Sequence, residues 1–183
     1  MQSKWGGAFR NDYRGHNLDW DTQTINSAHI MAFQRVSKNQ IIFGANYFPT
    51  LLKSSPCWIV WDKRKDEKYS NDFADCEIAW TSFDKPAKMF RYLWSGMLQE
   101  NMRQKEERFH PTQKPIALME WIIKNFSKQG DVICDPFMGS GSTGIAALKL
   151  QRRFIGVEID EKYFEIAKKR IGGWENQSRL PFQ

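Results

Sequence analysis

Apolar positions in the N-terminal half of the chain switch between helical and strand spacing. Residues 24–36 carry an apolar stripe at helical spacing and predict a helix. Short apolar runs predict strands at 40–44, 57–61 and 76–83, and residues 47–52 predict a helical turn. A polar loop without helical spacing joins the last two runs, which therefore predict an antiparallel hairpin at the edge of a sheet.

The C-terminal half alternates strands and helices more regularly. A helix that begins with a proline is predicted at 115–126, and an apolar strand then leads into a glycine-rich turn. A small-residue helix at 145–148, a second apolar strand at 154–159 and a last helix at 161–171 follow. The glycine pair at 172–173 is expected to end that helix. Strands that alternate with helices predict an α/β fold with a largely parallel sheet.

The composition is typical of a globular protein. The chain has 183 residues, of which 41% are hydrophobic and 26% are charged, and this length is sufficient to bury a core. The apolar runs are shorter than a membrane span, and residues 1–6 lack the apolar core of a signal peptide. The three cysteines lie in apolar strands and are expected to be buried thiols. A cytoplasmic protein without membrane association or a metal site is therefore expected.

The charge adds a weak indication of a partner. A net charge of +6 and an isoelectric point near 9.2 permit contact with a polyanion. They do not establish it, because many globular proteins are mildly basic.

Candidate chemistry is concentrated where the first C-terminal strand ends. The segment Asp135-Pro-Phe-Met-Gly-Ser-Gly-Ser-Thr143 joins this strand to the following helix. Glycines allow a ligand to approach the backbone, and the start of a helix offers free N–H groups. The next strand ends in Glu158, at about the 20-residue spacing from Asp135 expected of an acid that binds ribose hydroxyls. A glycine pair alone is also common in ordinary turns, but these features together predict a site for a nucleotide-type ligand.

Three segments together resemble a known family. The segment His110-Pro-Thr-Gln-Lys-Pro115, the glycine turn and Gly156-Val-Glu-Ile-Asp160 resemble the S-adenosylmethionine-binding half of DNA amino-methyltransferases, which methylate adenine N6 or cytosine N4. The order of the segments resembles the β group of that family, and residues 39–83 resemble its phage or prophage members. The resemblance implies a Rossmann-like methyltransferase sheet, mostly parallel with an antiparallel hairpin edge and lacking its N-terminal strands.

The resemblance also implies how the chain is organised. It implies one methyltransferase domain over residues 1–183, with the catalytic side of the sheet in 39–83 and the cofactor-binding half in 110–171. Residues 62–75 and 84–109 are candidate target-recognition loops. The implied partner is double-stranded DNA, and the implied cofactor is S-adenosylmethionine.

Cofactor-binding roles follow residue by residue from the matching positions. The resemblance places Asp135 near the methionine portion of the cofactor, Thr112 and Lys114 beside its carboxylate, and Glu158 on the ribose hydroxyls. The full set of implied cofactor-binding residues is Thr112, Lys114, Asp135, Phe137, Gly139, Ser140, Gly141, Ser142 and Glu158.

Basic residues in the two candidate recognition loops are candidates for DNA contact. By position, this role falls to Lys63, Arg64, Lys65, Lys88, Arg91 and Arg103. Acidic residues are interleaved with them, so a merely solvated surface is an equal alternative. Phosphate contacts there would position DNA without specifying its sequence.

The catalytic motif of the family does not occur in the sequence. The resemblance predicts Asp-Pro-Pro-Tyr, or Ser/Asn-Pro-Pro-Tyr, after an apolar strand. In that motif, oxygen atoms accept the hydrogens of the exocyclic amine and the aromatic ring stacks on the flipped base. Asn11-Asp-Tyr-Arg14 lacks both prolines and a preceding strand, and it is not a convincing replacement. The catalytic residues are therefore unknown.

The absence of the motif leaves several hypotheses open. The chain is expected to be a methyltransferase without its first ~30–40 residues, which corresponds to two strand–loop units. A truncated reading frame, a decayed prophage gene and a shortened form all fit this expectation. The predicted activity is adenine-N6 methylation of DNA, in a restriction–modification or phage context. Cytosine-N4 methylation and an inactive remnant that binds DNA or cofactor are the alternatives, whereas a dinucleotide oxidoreductase is disfavoured because the segment from His110 to Pro115 has no role there.

Overall fold

Helices and short strands alternate along the chain. The computed structural model describes residues 25–66, 68, 74–95 and 97–178. The helices in this range are α1 (Ser27–Val36), α2 (Ile116–Phe126), α3 (Ser142–Lys149) and α4 (Glu161–Ser178). The strands are β1 (Ile41–Phe43), β2 (Trp58–Asp62), β3 (Cys76–Thr81), β4 (Lys88–Arg91), β5 (Trp94–Ser95), β6 (Leu98–Gln99), β7 (Val132–Asp135) and β8 (Arg153–Gly156). Two 3₁₀ turns, Ala45–Tyr47 and Pro49–Leu51, follow β1.

The strands form three separate sheets among the described residues. The largest has the order β1-β3-β2-β4, in which β3 is antiparallel to both β1 and β2, and β4 is parallel to β2. Strands β5 and β6 form an antiparallel hairpin, and β7 pairs in parallel with β8. Because β1, β2 and β4 run in one direction, their carboxyl ends lie at one edge of the largest sheet.

The predicted hairpin is confirmed, but its predicted place at the sheet edge is wrong. Strands β2 and β3 pair in antiparallel register from Trp58↔Trp80 to Asp62↔Cys76. However, β3 lies between β1 and β2, and β4 extends the sheet beyond β2. The sheets are consequently mixed rather than mostly parallel. Strand β4 escaped prediction because its four residues place two apolar side chains between two charged ones, without the alternation of a strand, and pairing with β2 defines it.

Two hydrophobic clusters hold these elements together. In the larger cluster, Ile59 and Trp61 of β2 pack with Leu118 of α2 and with Ala146 and Ala147 of α3. Phe43 of β1 and Phe154 of β8 also pack against this cluster, so both major sheets share one core. In the smaller cluster, α1 packs on β1 and β3 through Ile30, Ile42 and Trp80. The burial of aliphatic side chains of this size stabilises a fold by about 1.5–3 kcal/mol each.

Two expectations about local structure are wrong. Helix α4 continues through Gly172 and Gly173 to Ser178, because neither glycine adopts the left-handed conformation that ends a helix. Of the three cysteines, Cys57 is buried, but Cys76 and Cys134 are exposed. Cys134 lies on β7, where Val132 is also exposed, so one face of the β7–β8 sheet is open to solvent in the described part of the chain.

No helix among the described residues is long and apolar enough to cross a membrane.

Candidate functional site

The glycine turn between β7 and α3 is shaped by two glycines with positive φ. Gly139 has φ +52°, and a Cβ there would lie 3.6 Å from the ring of His110. Gly141 has φ +83°, and a Cβ there would lie 3.1 Å from both Ala167 and Ile171. Glycine is favoured at both positions because L side chains adopt this backbone region at a cost. The close packing of α4 adds a second reason at Gly141.

The carboxylate of Asp135 closes the turn from one side. Its Oδ1 accepts a hydrogen bond from the Phe137 backbone N–H at 3.0 Å. Its Oδ2 accepts a hydrogen bond from the Thr143 hydroxyl at 2.6 Å. Both oxygens therefore connect the end of β7 to the start of α3. Charge-assisted bonds of this kind contribute about 1.5–3 kcal/mol each.

The carboxylate of Glu158 holds the turn from the other side. Its Oε2 accepts a hydrogen bond from the Gly139 N–H at 2.8 Å. Its Oε1 accepts from the N–H groups of Ile159 and Asp160 at 2.9 and 3.0 Å. A carboxylate offers about four lone-pair positions, so one position on Oε2 remains available to a hydroxyl of a ligand.

The segment from His110 to Pro115 packs against the turn. Burial lowers the pKa of His110, and its Nδ1 accepts a hydrogen bond from the Thr112 N–H at 3.2 Å. Its ring lies 4.3 Å from the ring of Tyr163 in α4, between centroids. The lowered pKa favours the neutral form of this imidazole, which lies between Gly139 and α4. The Thr112 hydroxyl lies 3.1 Å from the same Nδ1.

The same segment connects the turn to the largest sheet. The Gln113 amide oxygen accepts a hydrogen bond from the Ser140 hydroxyl at 2.8 Å. The ammonium group of Lys114 lies 3.5 Å from a carboxylate oxygen of Glu77 in β3 and 4.8 Å from the ring centroid of Phe43 in β1. The glycine turn and the carboxyl edge of the largest sheet therefore meet at this segment.

One hydroxyl in the turn is buried without a partner. Ser142, the first residue of α3, is 6% exposed. Its Oγ is the buried side-chain atom that lacks a hydrogen-bond partner among the described residues. An unsatisfied buried polar group is costly, and such groups often mark functional sites.

The structure brings most of the predicted cofactor residues together but directs two of them elsewhere. Gly139, Ser140 and Glu158 share hydrogen bonds or neighbours within the turn, as described above. Lys114 is paired with Glu77. Phe137 is 58% exposed, and its ring meets the edge of Phe33 in α1 at 5.9 Å. The roles of all these residues toward a cofactor stay predictions.

Three residues at the site were not singled out from the sequence. They are Gln113, Thr143 and Arg170, whose guanidinium donates to the Ser140 carbonyl. Gln113 lies inside the quoted His110–Pro115 motif, and that position was the available signal. The contact of Arg170 depends on the packing of α4 and has no signal in the local pattern.

The candidate DNA-binding residues fall into two groups. Three are engaged in ion pairs: Arg64 and Arg91 contact the buried Asp62 at 3.0 and 2.9 Å, and Lys63 contacts Glu77 at 3.4 Å. These pairs link β2 with β4 and β3, and the bond from Arg64 is the largest cause that lowers the pKa of Asp62. The other three, Lys65, Lys88 and Arg103, are exposed.

Position separates the candidates further. Lys88 begins β4, at the amino end of the strand, whereas Lys63, Arg64, Lys65 and Arg91 lie at the carboxyl edge of the sheet. Residues 67 and 69–73 of the first candidate recognition loop lie outside the described residues, as does the segment 11–14. The DNA-binding role of all six residues stays a prediction.

A parallel strand, a glycine turn, a helix and a second strand that ends in an acid define a Rossmann-like α/β protein of the nucleotide-binding class. The model of the DNA methylase family (N6_N4_Mtase) matches residues 21–169. The chain belongs to this family, and the resemblance to DNA amino-methyltransferases is confirmed. Its likeness to the β group and to phage or prophage members stays a prediction.

Curated relatives are similar over part of the chain. The chain is 40% identical over 113 residues to the type II methyltransferase M2.DpnII of Streptococcus pneumoniae, which covers 62% of this chain and 41% of that protein. It is 40% identical over 116 residues to the type II methyltransferase M2.LlaDCHI of Lactococcus lactis subsp. cremoris, with coverage of 62% and 40%. The chain thus spans less than half the length of these relatives.

A solved structure is similar over most of the chain. The complex of M1.HpyAVI with SAM (S-adenosylmethionine) matches at a TM-score of 0.56 and 29% identity, covering 79% of this chain and 81% of that chain. A second structure of M1.HpyAVI matches at a TM-score of 0.53 and 27% identity. The predicted Rossmann-like α/β class is therefore confirmed.

Proposed function

We propose that this chain forms the cofactor-binding part of an S-adenosylmethionine-dependent DNA methyltransferase that acts on adenine N6. The observation that carries the proposal is the convergence of three features on one turn. Glu158 accepts a hydrogen bond from the Gly139 N–H, and Gln113 accepts one from the Ser140 hydroxyl. The buried hydroxyl of Ser142 has no hydrogen-bond partner in the described part of the chain. Membership of the DNA methylase family supports this assignment.

The residues at the turn fit S-adenosylmethionine. The ribose hydroxyls can reach the remaining lone pair of Glu158 Oε2, and the unpartnered Ser142 Oγ gains a partner from the bound ligand. The related M1.HpyAVI was solved with the same cofactor. The cofactor supplies, when bound, a methyl group on a sulfonium centre from which a nucleophile can displace it.

Two of the proposed contacts differ in what they require. Thr112 is exposed beside the turn and can contact the methionine carboxylate directly. Lys114 must first leave Glu77, since its ammonium lies 3.5 Å from that carboxylate. We therefore assign the methionine carboxylate first to Thr112. Lys114 serves as a second contact that Glu77 restrains in the free protein.

The basic residues at the carboxyl edge are the proposed DNA contacts. Lys65 is exposed there, and Arg103 is exposed in the second candidate recognition loop, whereas Arg64 and Arg91 are committed to Asp62. Loss of one phosphate contact lowers the slope of log K against log salt by about 0.9. Lys65→Ala and Arg103→Ala together should therefore reduce this slope in a duplex-binding titration, and Lys88→Ala, at the opposite strand end, is the control. An equal effect of Lys88→Ala would place the DNA elsewhere.

A non-catalytic binding role is the second candidate, and one observation favours it. The sequence contains no Asp-Pro-Pro-Tyr or related motif, which in the family supplies the oxygens that accept the hydrogens of the target amine. We therefore expect this chain alone to bind the cofactor and to transfer little methyl to DNA. Tritium transfer from labelled cofactor, followed by nucleoside chromatography, separates adenine from cytosine as the acceptor. Robust labelling by this chain alone would contradict the expectation.

The cofactor assignment is tested by calorimetric titration of S-adenosylmethionine into the wild-type chain and the Glu158→Ala variant. We expect wild-type binding, and at least about tenfold weaker binding by the variant, because one charge-assisted hydrogen bond contributes about 1.5–3 kcal/mol. The matched control is Glu165→Ala, since Glu165 is exposed on α4 and pairs with Lys168 at 3.3 Å. Equal affinities of Glu158→Ala and wild type would remove Glu158 from the site, and no binding by the wild type would refute the proposal.

A further inference from the structure

The amide of Gln113 connects two segments that are distant in sequence. Gln113 is 7% exposed, although glutamine side chains usually lie at the surface. Its Oε1 accepts hydrogen bonds from the Ser140 hydroxyl at 2.8 Å and the Phe109 N–H at 3.0 Å. Its Nε2 donates to the Glu107 carbonyl at 3.0 Å. The amide thus ties residues 107–113 to a turn 27 positions further along the chain.

Ser140 is held from two directions. It is 3% exposed, and its hydroxyl donates to Gln113. Its carbonyl accepts a hydrogen bond from Arg170 of α4. The guanidinium of Arg170 lies 4.9 Å from the ring centroid of Phe109, the residue whose N–H also bonds to Gln113. The two groups that bond to Ser140, the Gln113 amide and the Arg170 guanidinium, therefore both contact Phe109.

We propose that Gln113 is a positioning residue for cofactor binding, which acts through Ser140. It fixes the Ser140 hydroxyl and carbonyl, and hence the backbone N–H groups of the turn, in the orientation that the cofactor meets. This inference rests on the proposed function, because it takes S-adenosylmethionine as the ligand of the turn. Cofactor affinity should therefore depend on how well residues 107–113 are ordered, since the Gln113 amide forms hydrogen bonds with this segment and with Ser140.

The chain offers a matched control in Gln99. Gln99 is 6% exposed, and its amide makes two hydrogen bonds with the Glu106 backbone, at 2.9 and 2.8 Å. Both of these bonds go to Glu106 rather than to the glycine turn. Gln113→Ala and Gln99→Ala should therefore lower stability to a similar extent in urea unfolding. Only Gln113→Ala should weaken cofactor binding.

Calorimetry gives the decisive comparison. Gln113→Ala should weaken S-adenosylmethionine binding by about tenfold, the effect of losing one buried hydrogen bond. Gln99→Ala should change it less than about twofold. In a Ser140→Ala background the further effect of Gln113→Ala should shrink to less than about threefold, because contacting residues couple. An equal loss in Gln99→Ala, or an undiminished effect without the Ser140 hydroxyl, would overturn the proposal.

Hydrogen exchange of the free proteins tests positioning without the cofactor. The amides of residues 139–141 should exchange faster in Gln113→Ala than in Gln99→Ala. Unchanged exchange at the turn would overturn the positioning role, whereas absence of binding by the wild-type chain would instead refute the proposed function. If Gln113→Ala does not fold, Gln113→Met conserves the side-chain volume while removing the same hydrogen bonds, and the same outcomes apply to it.

Discussion

Ser142→Ala should change protein stability and cofactor affinity in opposite directions. The Ser142 hydroxyl is buried at the start of α3 without a hydrogen-bond partner among the described residues. In the free protein it therefore bears the cost of desolvation without compensation. The Ser142→Ala substitution deletes this unsatisfied group and leaves only the methyl group of alanine in its place.

The size of both effects follows from the free energy of one buried hydrogen bond. An unsatisfied buried group costs about 1–3 kcal/mol. We take the lower end, about 1 kcal/mol, because a hydroxyl relaxes by small rotations, and this corresponds to a Tm increase of about 2–4 °C for a chain of this size. If the bound cofactor supplies the missing partner, the variant loses about 0.5–1.5 kcal/mol of binding energy, which is about a 2- to 13-fold loss of affinity.

Calorimetric unfolding of the free protein and cofactor titration measure the two effects on the same samples. The control is Ser140→Ala, two positions earlier, whose buried hydroxyl does have a partner at 2.8 Å in Gln113. That variant should lose about 1 kcal/mol of stability. A Ser142→Ala protein that is less stable than the wild type, or that binds the cofactor with unchanged affinity, would contradict the role assigned to the Ser142 hydroxyl.

Three further predictions concern stability alone. Gly172→Ala should raise the free energy of unfolding by about 0.5–1 kcal/mol, because it lies within α4 with nothing within 4 Å of an added Cβ. Gly144→Ala should instead lower it by about 1–3 kcal/mol in the same urea series, since its Cβ would lie 2.7 Å from the Phe154 ring; equal shifts would contradict both. Burial raises the pKa of Glu106 above its ordinary value of 4.5, so the folded state binds the proton more tightly than the unfolded state. The folded protein therefore loses stability as the pH rises from 4.5 through the raised pKa. Glu106→Gln, which keeps an acceptor for the Ile116 N–H, should therefore become progressively more stable than the wild type as the pH rises above 4.5. A stability difference that does not change with pH would contradict this prediction.

The cofactor half could be predicted because its chemistry is contiguous in sequence. Strand β7, the glycine turn, α3 and β8 follow one another within residues 132–156. Each element has a local signal in the sequence: an apolar run for a strand, closely spaced glycines for the turn, or small residues for the helix. The acid at position 158 then follows at a distance set by the length of one helix and one strand.

The remaining features depend on contacts that local patterns do not contain. Strand β4 exists because it pairs with β2, from Ile59↔Lys88 to Asp62↔Arg91, and β5 and β6 are two residues long. The bond between Gln113 and Ser140 likewise joins residues far apart along the chain. The charged residues in 62–66 and 88–91 did not indicate that Asp62 would be buried between two arginines. Such features follow from tertiary packing rather than from propensity.

The most direct measurement is a crystal structure of the chain grown with saturating S-adenosylmethionine. We expect electron density for the nucleoside along residues 137–142, with a ribose hydroxyl on Glu158 Oε2 and a ligand atom within hydrogen-bonding distance of Ser142 Oγ. Density for the cofactor at any other place, or an empty turn at saturation, would contradict the proposed cofactor site.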